Sequence, residues 1–75
     1  MNHRTLEDII KEELEHRHEG GDFGIEACKR AINSDCEWKK ISLYQALEGY
    51  VKRANEDFFF NRAMVLACWE LINER

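Results

Sequence analysis

Proline is absent from this sequence, and glycine is scarce, with four residues of which two are adjacent at Gly20 and Gly21. A protein built from several β-strands needs turn residues roughly every 8–12 positions, so this shortage argues against a β architecture. Ala, Leu, Glu, Lys and Arg are abundant instead, and these side chains lose little conformational entropy in a helix. The composition therefore predicts an all-α protein.

Long apolar runs are also missing. No segment approaches the ~20 apolar residues that cross a bilayer, and the first eleven residues hold no apolar stretch longer than Ile9-Ile10, which does not resemble a signal peptide. The three cysteines, Cys28, Cys36 and Cys68, are an odd number in a short chain. We expect reduced, partly buried thiols, no membrane association and a cytoplasmic location.

The length of 75 residues allows one domain, spanning residues 1–75. A chain this short buries only about 60% of the surface that its unfolded form exposes, so its stability is expected to be marginal. Because 44% of the residues are hydrophobic, disorder is not expected.

Apolar residues recur at helical spacing along the whole chain. The pattern predicts a compact bundle of about four short helices with a further helical turn near 35–40. The predicted helices cover about 5–19, 23–33, 42–54 and 56–73.

Local capping signals set these boundaries. Thr5, Ser34 and Ser42 are each followed three residues later by Asp, Glu or Gln, which is a capping-box pattern. Asn55, followed by two acidic residues, is the predicted N-cap of the last helix. One unbroken helix from Ser42 onward is the alternative. Basic residues before Asn55 and acidic residues after it favour the break, because they match two separate helix dipoles.

The first and last predicted helices indicate a surface for another protein. The first has a narrow apolar stripe, and the last is apolar around most of its circumference, so it is either central in the bundle or covered by another chain. We expect Phe59, Leu66 and Trp69 to stay partly exposed and to anchor a partner. A homodimer formed through the last helix would satisfy the same pattern.

Charge is distributed unevenly. Residues 1–22 hold seven acids and three bases, whereas residues 23–75 hold eight of each, so the first segment carries the whole net charge of −4. Glu12, Glu15 and Glu19 are the side chains expected to steer a basic partner toward the protein.

Motifs for catalysis or metal binding are incomplete. The sequence has one E-x-x-H step, whereas di-metal bundles use two, and Cys28 and Cys36 are too far apart for a usual zinc pair. It has no Gly-rich phosphate loop with the required lysine. We therefore expect a non-enzyme without catalytic residues, metal or cofactor.

The sequence predicts a small protein-binding module, of the regulator or inhibitor class, that docks on another protein through its acidic first helix, its apolar last helix, or both. The alternative is a helix-turn-helix DNA-binding regulator with residues 42–55 as the reading helix. An isoelectric point near 5.3 argues against this alternative, because phosphate neutralisation by basic residues supplies most DNA affinity.

Overall fold

The computed structural model describes residues 3–20, 23–57 and 59–74, apart from the side chains of residues 16–20 and 23. Throughout these residues the regular structure is helical, which confirms the predicted all-α bundle. The described residues form four helices, which are α1 (Leu6–Gly20), α2 (Phe23–Lys39), α3 (Leu43–Glu56) and α4 (Ala63–Asn73).

Helix α4 occupies the centre of the bundle. It packs against α1, α2 and α3, most extensively against α2. Four consecutive residues of α4, Val65 to Cys68, are completely buried, which requires neighbours on several sides. The apolar circumference of this helix is therefore explained by its central position, since a helix that is apolar all round must be enclosed.

Two of the predicted helix starts are confirmed by reciprocal capping bonds. Thr5 Oγ1 accepts from the Asp8 N–H at 3.2 Å, and Asp8 Oδ2 accepts from the Thr5 N–H at 3.3 Å. Ser42 Oγ accepts from the Gln45 N–H at 3.1 Å, and Gln45 Oε1 accepts from the Ser42 N–H at 2.9 Å. Each box satisfies two backbone donors that the first turn of a helix leaves without partners.

The predicted end of the second helix near residue 33 is wrong. α2 continues to Lys39, so the separate helical turn near 35–40 is the end of α2 itself, and Ser34 lies inside the helix. No Gly or Pro lies between residues 25 and 39 to interrupt the backbone hydrogen bonds. Within this part of the helix, Asp35 pairs with Lys39 one turn later at 3.3 Å.

A left-handed residue ends α2. Lys40 has φ 57°, and the Ile41 N–H donates to the Cys36 carbonyl at 3.1 Å. This six-residue hydrogen bond around a left-handed position is the Schellman termination, in which glycine is the usual residue. Lys40 therefore carries a backbone strain that a glycine at this position would avoid.

Lys40→Gly is accordingly expected to stabilise the protein by about 0.5–1 kcal/mol, because the relief of left-handed strain exceeds the entropic cost of glycine. Urea unfolding followed by circular dichroism measures the effect. Lys39→Gly, one residue earlier in the right-handed helix, is the matched control and is expected to destabilise by about 1 kcal/mol. Equal destabilisation by both variants would contradict this account of the turn.

The break between α3 and α4 is confirmed, but its predicted position at Asn55 is wrong. Asn55 lies inside α3, and α4 begins at Ala63 rather than at residue 56. Asn55 Oδ1 accepts from the Arg4 N–H at 2.7 Å, and its Nδ2 donates to the Arg4 carbonyl at 2.9 Å. The amide is thus used to hold the N-terminal segment against α3. At the start of α4, Asn61 precedes the N-cap Arg62, and its Oδ1 accepts from the Ala63 N–H at 3.0 Å.

Candidate functional site

A groove lies between the first and last helices. Leu6, Ile10 and Leu14 follow one another at four-residue intervals along α1, and they share the groove with Trp69 of α4. These four apolar residues, together with the charged residues Glu7, Lys11 and Glu15, define what we call the α1–α4 groove, with a volume of about 600 Å³.

Exposure differs along the apolar row of this groove, and Leu6 at its start is partly buried. Ile10 is buried, whereas Leu14 is 45% exposed and Trp69 is 36% exposed. α4 packs less extensively on α1 than on α2 or α3, so part of the α1 stripe stays open to solvent. The groove therefore presents one aliphatic and one aromatic side chain that the bundle itself covers only in part.

Charged side chains flank this apolar row. Glu7, Lys11 and Glu15 also recur at four-residue intervals, each one position after an apolar residue, so they form the neighbouring row on α1. All three are exposed. The rim consequently alternates negative, positive and negative over two helical turns, with one excess negative charge.

Two further cavities lie elsewhere on the bundle. One, of about 490 Å³, lies between Leu6 and the α3 residues Tyr44, Leu47 and Val51. Since Leu6 lines this cavity as well as the α1–α4 groove, the start of α1 forms a ridge between two apolar depressions. The other, of about 730 Å³, is lined by residues of α2, α3 and α4 that include Cys36 and Tyr44.

The structure brings together two of the side chains predicted from the sequence as partner contacts. Glu15 and Trp69, expected on separate helices, line the same groove. Phe59 is 90% exposed, but it lies in the α3–α4 connection and does not line the groove. Glu12 is only half-buried, and its carboxylate pairs with the Arg4 guanidinium, which partly compensates its charge. The side chain of Glu19 lies outside the described residues.

The expected exposure of Leu66 is wrong. Its side chain is completely buried, because the central position of α4 surrounds that face with the other helices. Leu66 is therefore a core residue that a docking partner cannot reach.

Leu14 is the groove residue that the sequence did not single out as a contact. The apolar stripe of α1 was visible, but helical spacing gives every member of a stripe the same orientation. Spacing cannot show which end of the stripe the neighbouring helix leaves uncovered. No local signal distinguishes Leu14 from the buried Ile10.

The buried thiols have raised pKa values. Burial raises the pKa of Cys68 to about 11, and burial together with the negative charge of Glu13 raises the pKa of Cys28. At neutral pH both therefore remain protonated, whereas a nucleophile or metal ligand is the thiolate. Among the side chains that the structure describes, no three His, Cys, Asp or Glu residues are close enough to hold a metal ion.

No protein-family model matches the chain, and neither does any curated protein or solved structure with which it was compared. Of the helices formed by the described residues, none has both the length and the apolarity to cross a bilayer. The α1–α4 groove is the feature from which a function can be inferred.

Proposed function

We propose that this protein is a small non-enzymatic module that regulates another protein by docking on it through the α1–α4 groove. The observation that carries the proposal is the juxtaposition of Leu14 and Trp69, both partly exposed, beside the charged rim that includes Glu15. Exposed apolar patches rimmed by charge mark interaction sites. Tryptophan is among the residues that contribute most to interface energies.

The size of the groove indicates how a partner would engage it. A volume of about 600 Å³ accommodates a few side chains rather than the flat face of a globular protein. Binding energy would thus be concentrated in a small number of anchors inserted beside Leu14 and Trp69. Truncation of a central anchor typically weakens an interface by 2 kcal/mol or more.

Leu14→Gln is the variant that tests the proposal. Residue 14 is partly exposed on a helix, and glutamine retains helix propensity, so the fold should persist while the groove loses an apolar contact. Partners are captured from the native cell with the wild-type chain, identified, and measured against purified variants. We expect the affinity of the captured protein to fall at least about tenfold in Leu14→Gln.

Phe59→Ser provides the matched control, because it removes a side chain that is even more exposed but lies outside the groove. This variant is expected to bind as the wild type does. Equal binding by Leu14→Gln and the wild type, or loss confined to Phe59→Ser, would refute docking through the groove. Thermal unfolding of each variant shows that the comparison is between folded proteins.

Self-association through the groove is disfavoured by its charge. A symmetric dimer places the same patch on both chains, so Glu7 and Glu15 of one copy would face the acidic α1 of the other. We therefore expect light scattering at micromolar concentration to show the 8.9 kDa monomer.

A second candidate function is DNA binding, which one feature favours. Residues 40–42 join α2 to α3 in a three-residue turn, the length found in helix-turn-helix motifs. The exposed side of α3 carries Tyr44, Gln45 and Lys52, but Glu48 is exposed there too. A DNA shift assay at low salt, where phosphate attraction is strongest, decides between the two functions.

A further inference from the structure

We infer that the occupant of the α1–α4 groove is an amphipathic helix whose apolar face contacts Leu14 and Trp69 and whose basic residues lie opposite Glu7 and Glu15. This inference rests on the proposed function and specifies the chemistry of the partner at the same site.

The shape of the groove fits a helix. Its apolar row runs from Leu6 to Leu14 along the axis of α1, a length of about 12 Å at 1.5 Å per residue. A groove bounded by two helices accepts side chains at positions i, i+3 or i+4, and i+7 of a third helix. A partner helix of two to three turns therefore presents enough apolar side chains to cover the exposed parts of Leu14 and Trp69.

The rim gives the partner a definite charge pattern. Glu7 and Glu15 are two helical turns apart with Lys11 between them. A partner helix lying alongside α1 can place basic residues about two turns apart against the two glutamates, with a neutral or acidic residue facing Lys11. The rim thus favours a basic segment bound in one particular register. This preference is more specific than the general attraction of a basic segment to an acidic surface.

Charge beyond the groove reinforces this preference. Residues 1–22 carry the whole net charge of −4, so the field around α1 accelerates encounters with positively charged segments. The same field repels acidic peptides, nucleic-acid phosphates and anionic lipid surfaces, as well as the α1 face of a second copy. A basic amphipathic helix combines both features that the groove offers, apolar contact and negative potential.

The fluorescence of Trp69 reports directly on binding in the groove. The chain has two tryptophans, and Trp38 is almost fully exposed on α2, so Trp38→Phe leaves Trp69 as the only tryptophan without disturbing the core. The probe is a helical peptide of about 18 residues built from leucine and lysine, long enough to form a helix on binding. We expect micromolar binding with a blue shift of Trp69 emission. The same peptide with glutamate replacing lysine should bind at least about tenfold more weakly.

Two double variants separate a register-specific rim from general acidity. Glu7→Gln with Glu15→Gln removes the rim carboxylates, whereas Glu37→Gln with Glu56→Gln removes two exposed carboxylates on α2 and α3. Both change the net charge equally. We expect the rim variant to bind the lysine peptide with about fivefold lower affinity than the wild type. The control variant is expected to change the affinity for this peptide by less than about twofold.

Each outcome decides one of the two proposals. Equal weakening by both double variants, equal binding of the two peptides, or no shift of Trp69 emission would overturn the basic-helix inference. Docking through the groove would survive any of these results if Leu14→Gln still weakened binding of the captured partner. If Leu14→Gln had no effect on that partner, the proposed function itself would fall.

Discussion

Replacing Leu66 by alanine is expected to lower the free energy of unfolding by about 3–4 kcal/mol. The side chain is completely buried in the central helix α4, and truncating such a leucine removes its transfer free energy and leaves a cavity. A domain of 75 residues has a total stability of about 4–11 kcal/mol. Leu66→Ala should therefore cost a large part of that stability, measured by urea unfolding.

Two companion variants show whether the loss comes from a cavity. Leu66→Met conserves volume and is expected to cost less than about 1.5 kcal/mol. Phe59→Ala removes a larger side chain that is 90% exposed and is expected to change stability by less than about 0.5 kcal/mol. A cost for Leu66→Ala below about 1 kcal/mol would place this leucine at the surface, which is where the sequence pattern predicts it.

The contrast between Leu66 and Phe59 shows when helical spacing fails to predict which side chains are buried. The predicted helix over 56–73 contains both residues, but the helix starts at Ala63. Phe59 lies before that start, so no helical phase relates it to Leu66. An error in one boundary therefore changes the surroundings of every residue assigned by counting from it.

The two helix starts that are set by capping boxes were predictable, whereas the role of Asn55, which is set by a distant contact, was not. The starts of α1 and α3 depend on side chains three residues away, Thr5 with Asp8 and Ser42 with Gln45. Asn55 could have made a similar bond. Its amide instead bonds to Arg4, which is 51 positions earlier. A contact between residues so distant in the chain exists only once the bundle has formed.

The candidate site also combines features that local sequence predicts with features that depend on tertiary packing. The acidity of α1 and the exposure of Trp69 were expected separately, and each followed from composition and periodicity. Their meeting in one groove depends on how α1 lies across α4, which no local pattern specifies. The exposure of Leu14 has the same origin, because it depends on where the contact between the two helices ends.

Lys29→Ala is expected to lower the free energy of unfolding by about 2 kcal/mol. The ammonium group lies 2.8 Å from a Glu74 carboxylate oxygen and 3.1 Å from a Glu70 carboxylate oxygen, and the residue is only 9% exposed. Removing one partner of a buried ion pair costs 3–5 kcal/mol. We expect less here because Glu74 is more than half exposed to solvent, which screens the interaction.

The stability lost in Lys29→Ala should come from removal of the ammonium charge as well as from lost packing of the lysine stem. Lys29→Met retains the apolar stem but leaves Glu70, whose side chain is largely buried, without this cation. Combining Lys29→Met with Glu70→Gln removes both charges. We therefore expect the double variant to recover at least half of the stability lost in Lys29→Met, because a buried pair can be replaced by neutral groups at little cost. A loss in Lys29→Ala with little or no loss in Lys29→Met would show that Lys29 contributes through packing alone.

The pH dependence of the same network has a definite sign. The hydrogen bond to Glu74 raises the pKa of Lys29, with Glu70 adding to it, and this outweighs the lowering caused by burial. A raised folded-state pKa means that the folded protein holds the proton more tightly, so the stabilisation is complete below about pH 10 and decreases as the pH rises through the folded-state pKa. Between pH 7 and 9 the stability difference between wild type and Lys29→Met should therefore stay constant, and it should shrink above pH 10. A difference that already shrank by pH 9 would mean that the ammonium group is not held by these carboxylates.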